Sequence, residues 1–133
     1  MFKLRNKKGF TLVELMIVVV ILGILVAIAV PIFNAVTKNA KKKSCQSNMR
    51  IIMGAAVQIA INEEDSSFDK ILTSGTLAVG SSVNLTTATN LSADFTSRMK
   101  DGIPECPDGG EYTLKRTSEN DVTVTCSIAE HNP

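Results

Sequence analysis

The chain has 133 residues with 14 Lys or Arg against 13 Asp or Glu, and four of those cations, Lys3, Arg5, Lys7 and Lys8, precede Gly9. The remainder is therefore net acidic, which excludes a basic nucleic-acid binder, and an aromatic content of 5% is too low for a base-stacking surface. Once the N-terminal apolar run is set aside, roughly a hundred residues are left, enough for one small domain.

That run, Leu15 to Phe33, holds no charged residue and is long enough to cross a bilayer. One reading is an ordinary secretory signal with Ala27-Ile28-Ala29 as the cleavage site, which would release a soluble binding protein after Ala29. Another is a plain membrane anchor, whose orientation is tied because Lys38, Lys41, Lys42 and Lys43 on the far side match the four leading cations. Neither reading has a use for Glu14 at the start of the run. A carboxylate at the centre of a spanning helix costs roughly 2.5–3.5 kcal/mol on insertion scales, and less near an end.

The string Lys7-Lys8-Gly9-Phe10-Thr11-Leu12-Val13-Glu14 before an unbroken apolar helix resembles the class III signal of type IV prepilins and pseudopilins. The resemblance implies that a prepilin peptidase cuts residues 1–9 away between Gly9 and Phe10 and methylates the new Phe10 amine, leaving residues 10–33 as a transmembrane and filament-core helix. It also implies a homo-oligomeric helical filament, in which Glu14 pairs with the Phe10 amine of a neighbour and penalises wrong registers. An assembly ATPase and a platform protein supply the work indirectly. Membrane lipid surrounds the helix before assembly, so the expected locations are the inner or cytoplasmic membrane and then the extracellular pilus. Gly23, at about 1 kcal/mol relative to Ala, and Pro31, at about 3 kcal/mol, weaken the helix interior. In the family, similar positions mark a segment that stretches or melts. A pseudopilin of a type II secretion or competence system is the alternative within the family.

Helical patterning continues beyond Phe33, so one helix from Phe10 to Asn62 of about 80 Å is expected, with residues 34–62 as its amphipathic continuation. Cys45, Met49, Ile52, Ala56 and Ile59 fall on one stripe that should face the body of the protein. The lysines from Lys38 to Lys43 read as a solvated, headgroup-facing collar. Cys45, Cys106 and Cys126 contain no C-x-x-C pair of the kind that signals zinc or a redox motif, and a disulfide is the default in an exported body. Three cysteines allow one bridge, among Cys45–Cys106, Cys45–Cys126 and Cys106–Cys126. A bridge from the helix to the head is preferred, and a buried free thiol is the alternative.

Residues 63–133 read as a globular head. A short helix is expected through Leu72, a strand near Val83 to Thr86, and a helix capped by Asn90 or Ser92 that runs to about Lys100. "EYTLKRT" and "DVTVTCS" alternate around Ser118 to Asn120 as a hairpin, with Tyr112, Leu114, Val122 and Val124 facing the helix stripe. The fold class is therefore α+β, a long N-terminal helix packed on a small antiparallel sheet. "CPDGGEYTL" resembles segments in the heads of some pilin-like proteins, more weakly than the leader does.

No catalytic residue, metal site or cofactor is expected. His131 reads as a frayed tail residue, no nucleophile or phosphate-loop motif occurs, and Glu63, Glu64, Asp65 and Asp69 lack EF-hand spacing. The reading is a structural subunit, not an enzyme.

Overall fold

The computed structural model describes residues 9–62, 68–75 and 77–133. Leader residues 1–8 and the acids Glu63, Glu64 and Asp65 lie outside them. The chain separates into two compact units, Met1–Lys38 and Asn39–Pro133, and helix α1, Leu12–Asn62, contributes to both.

In the first unit α1 passes through Gly23 and Pro31 without a break. From Leu12 to Phe33 its large apolar side chains are all 51–73% exposed, so among the described residues no other element buries them. Among the described residues this is the one helix long and apolar enough to cross a membrane, with a mean hydropathy of 3.2 over its most apolar window. A helix is the form such a run must take in lipid, because every backbone N–H and C=O has to be satisfied within the segment.

In the second unit the expected stripe is the buried face of α1. Cys45, Met49, Ile52, Ala56 and Ile59 are all buried, and Ala55 and Ala60 widen the face. Opposite lies a three-stranded antiparallel sheet in the order β1 (Ser82–Asn84), β2 (Tyr112–Ser118), β3 (Asp121–Cys126). The hairpin is the one the alternation predicts, with Tyr112 opposite Cys126, Leu114 opposite Val124 and Arg116 opposite Val122. A register shift between Arg116 and Ser118 marks an irregularity next to the turn. Tyr112, Leu114, Val122 and Val124 are buried with Phe68, Ile71, Leu77, Leu85, Phe95 and Met99 in one core. The class is thus α+β.

Local elements differ from expectation where polar side chains intervene. The turn before Leu72 is a 3₁₀ turn, Asp69–Ile71, and Leu72 bridges Leu91. Strand β1 ends at Asn84 because the Asn84 Oδ1 accepts from the Thr86 and Thr87 N–H groups at 3.0 and 3.3 Å, which turns the chain. Helix α2, Ala93–Ser97, starts where expected, with Ser92 Oγ accepting from Phe95 N–H at 3.1 Å, but stops short of Lys100. Thr96 and Ser97 hydroxyls donate to carbonyls three or four residues back, a competition that weakens a short helix.

Candidate functional site

Gly9 and Phe10 are exposed and precede α1, so the peptide bond between them lies outside the helical ladder. Thr11 caps the helix. Its backbone N–H and hydroxyl donate to Glu14 Oε2 at 2.8 and 2.9 Å, and the Glu14 N–H donates back to Thr11 Oγ1 at 3.3 Å. This reciprocal T-x-x-E arrangement is a capping box, and it satisfies donors that the helix itself leaves unpaired. Glu14 therefore has a local partner in the single chain. The sequence carried that signal in the spacing of Thr11 and Glu14, but reading Glu14 as a misplaced membrane charge hid it. Gly23 faces open space, with nothing within 4 Å of where a Cβ would stand.

The three cysteines converge. Cys45 comes from α1, Cys106 from the loop before β2 and Cys126 from the end of β3, and all are buried thiols. Cys126 Sγ stands 3.8 Å from Cys106 Sγ. The Tyr112 hydroxyl donates to Cys45 Sγ at 3.4 Å and accepts from Asn48 Nδ2 at 3.2 Å. Burial pushes the Cys45 thiol up to about 12. Burial raises Cys106 as well, but N–H groups of Asp108 and Gly110, with His131, outweigh it and bring that thiol down to about 7. Burial, followed by the Cys45 contact, also holds the Tyr112 hydroxyl above its ordinary range.

His131 is not a frayed tail residue. It is 3% exposed, in a 3₁₀ turn at Ala129–His131, with Nδ1 3.4 Å from Cys106 Sγ and Nε2 3.1 Å from Asp108 Oδ2. The tail is held because Asn132 Oδ1 accepts from the Cys126 N–H at 2.8 Å and Asn132 Nδ2 donates to the Cys126 carbonyl at 3.0 Å. Lys41 likewise does more than face solvent. Its Nζ meets Asp108 Oδ1 at 2.7 Å, and that bond holds the Asp108 carboxyl below the usual carboxylate range.

Arg116 is the other residue the sequence did not single out. Its position on β2 places it on the inward face with Tyr112 and Leu114. Nη1 donates to the Leu77 carbonyl at 2.9 Å and pairs with Asp69 at 3.0 Å, while Nε and Nη2 donate to the Ser118 and Glu119 carbonyls. The guanidinium lies 5.7 Å from the Phe68 ring centroid.

Comparison with known proteins adds a second line. The family model described as the prokaryotic N-terminal methylation motif matches residues 4–30. The chain is 37% identical over 100 residues to the type IV narrow pilus major component of Thermus thermophilus, covering 65% of this chain and 82% of that one. It is 27% identical over 139 residues to a fimbrial protein of Pseudomonas aeruginosa, covering 96% of this chain and 89% of the other. It is also 46% identical over 54 residues to the type IV major pilin protein of Myxococcus xanthus, spanning only 24% of that protein. No solved structure matches the chain.

Proposed function

The chain belongs to the type IV pilin family, and on that premise we propose that it is a structural subunit of a type IV pilus filament, cut between Gly9 and Phe10, methylated on Phe10 and polymerised through its N-terminal helix. The observation that carries this reading is the run of half-exposed apolar side chains from Leu12 to Phe33, which nothing among the described residues covers. Lipid covers it before assembly and copies of the same helix afterwards. Lipid tails are as apolar as the side chains, so packing rather than loss of water separates the two states.

Glu14 has a defined place in this scheme. In the single chain Thr11 satisfies it. After cleavage the ammonium of Phe10 becomes available, and within the filament the Phe10 amine of a neighbour pairs with Glu14. An unpaired carboxylate inside the bundle is costly while a paired one is tolerated, so the pair favours one axial register. Gly23 to Pro31 is the segment where an assembled helix would yield under tension. Prepilin peptidase, an assembly ATPase and a platform protein are the partners the family implies, and the protein passes from membrane to extracellular filament.

Shearing cells that express the protein, pelleting the filaments and measuring intact mass tests this. An abundant chain beginning at methylated Phe10 is expected. A Phe10 chain confined to the membrane fraction would favour a pseudopilin, and a chain beginning at Val30 in the medium would mean an ordinary signal peptide. Glu14→Ala that is cut and still assembles as wild type would remove Glu14 as a register key.

A further inference from the structure

Cys45, Cys106, Cys126 and His131 each offer one ligand atom, and these four atoms lie within 4.8 Å of one another, all on buried residues. From this convergence we infer that the C-terminal unit binds one zinc ion in a closed Cys3His site. The inference is independent of the filament reading, because every residue involved lies within Asn39–Pro133.

Two edges of the cluster already match that ion, and the remaining four, all within 4.8 Å, would have to close by up to about 1 Å on binding. Zinc–sulfur and zinc–nitrogen bonds of about 2.3 and 2.0–2.1 Å set tetrahedral edges of roughly 3.8 Å between sulfurs and 3.6 Å between sulfur and nitrogen. The observed Cys106–Cys126 separation is 3.8 Å and the Cys106–His131 Nδ1 separation is 3.4 Å. A soft donor set of three sulfurs and an imidazole suits zinc and not calcium or magnesium. Four protein ligands leave no open position, so the ion is structural and not catalytic.

The surroundings complete the case. His131 turns Nδ1 to the sulfurs because Nε2 is engaged by Asp108 Oδ2 at 3.1 Å, the carboxylate–histidine pairing that fixes ligand orientation in zinc sites. Lys41 in turn holds Asp108. On binding, the three thiols give up their protons, so the ion with its ligands carries one net negative charge. One donor for it is in place, the Tyr112 hydroxyl, which points at Cys45 Sγ at 3.4 Å. The backbone at Gly110 passes so close that a Cβ there would meet Cys126 Sγ at 2.6 Å. The ion would tie α1, the loop before β2, the end of β3 and the C-terminal turn together. A Cys106–Cys126 disulfide, formed by loss of two hydrogens to an oxidant, is the competing state. It would leave the Cys45 thiol outside the bridge and give the Nδ1 of His131 no thiol to pair with at Cys106.

The test uses the untagged full chain purified in detergent, with metal content by plasma mass spectrometry and intact mass under denaturing, unreduced conditions. One zinc per chain and a fully reduced mass with three alkylatable thiols are expected, and cobalt(II) in place of zinc should give tetrahedral visible absorption with a thiolate charge-transfer band. Cys126→Ser should lose the metal. Asp108→Asn, which keeps all four ligands but weakens the contact that orients His131, should bind zinc about 10–100-fold more weakly against a competing chelator, while Lys41→Ala, which leaves the His131 contact in place, should bind it more nearly as wild type. A metal-free chain lighter by two hydrogens overturns the site, as does a metal-free chain with three thiols. Zinc retained unchanged in Cys126→Ser, Asp108→Asn binding as wild type, or one equivalent of another metal does the same.

Discussion

Replacing Arg116 with Ala should destabilise the C-terminal unit far more than replacing its carboxylate partner Asp69. The Leu77 carbonyl accepts from Nη1 at 2.9 Å in a buried setting, and stranding such an acceptor costs about 1–3 kcal/mol. The guanidinium over Phe68 adds about 0.5–1 kcal/mol. The ion pair contributes little, about 0.2–1 kcal/mol, because the Asp69 side chain is 43% exposed. The Ser118 and Glu119 carbonyls are only part-buried and can turn to water. The expected loss for Arg116→Ala is therefore about 2–4 kcal/mol, against under about 1 kcal/mol for Asp69→Ala. Urea unfolding of the full chain in detergent measures both, followed through Tyr112, the single tyrosine in a chain without tryptophan. With a slope of about 1–3 kcal/mol per molar urea, the Arg116 variant should unfold at least about 0.7 M earlier. An Asp69→Ala loss equal to that of Arg116→Ala would refute the reasoning, since the ion pair and not the carbonyl clamp would then hold the β2–β3 turn to the core. Arg116→Lys should rescue only a small part, because a single ammonium cannot reach the same fork of acceptors.

Ile52→Ala, at a fully buried position on the helix stripe, should cost about 2–5 kcal/mol, while its half-exposed neighbour Ile51→Ala should stay within about 0.5 kcal/mol in the same urea assay. Gly110→Ala should cost about 1–3 kcal/mol by overpacking, since the new methyl meets Cys126 Sγ at 2.6 Å and Ile128 at 3.1 Å. Asn132→Ala removes both bonds to the Cys126 backbone and should cost about 1–3 kcal/mol, with amide exchange at Cys126 accelerating.

The parts of the fold that could be read from sequence are those in which burial alone sets the pattern. The stripe from Cys45 to Ile59 and the alternation Tyr112, Leu114, Val122, Val124 each follow from one periodicity and one apolar face, and both are buried as read. Arg116 breaks the second pattern because a charge on an inward position is tolerated only when carbonyls and a ring from distant segments, Leu77 and Phe68, come to meet it. Nothing local in "TLKRTS" announces them. The cysteine cluster was missed for the same reason. A search for C-x-x-C finds ligands that one turn brings together, whereas Cys45, Cys106, Cys126 and His131 meet only once α1 and the hairpin have packed and Asn132 has drawn the tail back onto β3. His131, read alone near a chain end, has no stated partner. Read after the fold, it sits with its outer nitrogen on Asp108 and its inner nitrogen among the sulfurs. A set of residues distributed in this way is recognised by what orients each member, and the orienting groups, Asp108, Tyr112 and Asn132, are themselves ordinary residues in the sequence until the packing gives them their direction.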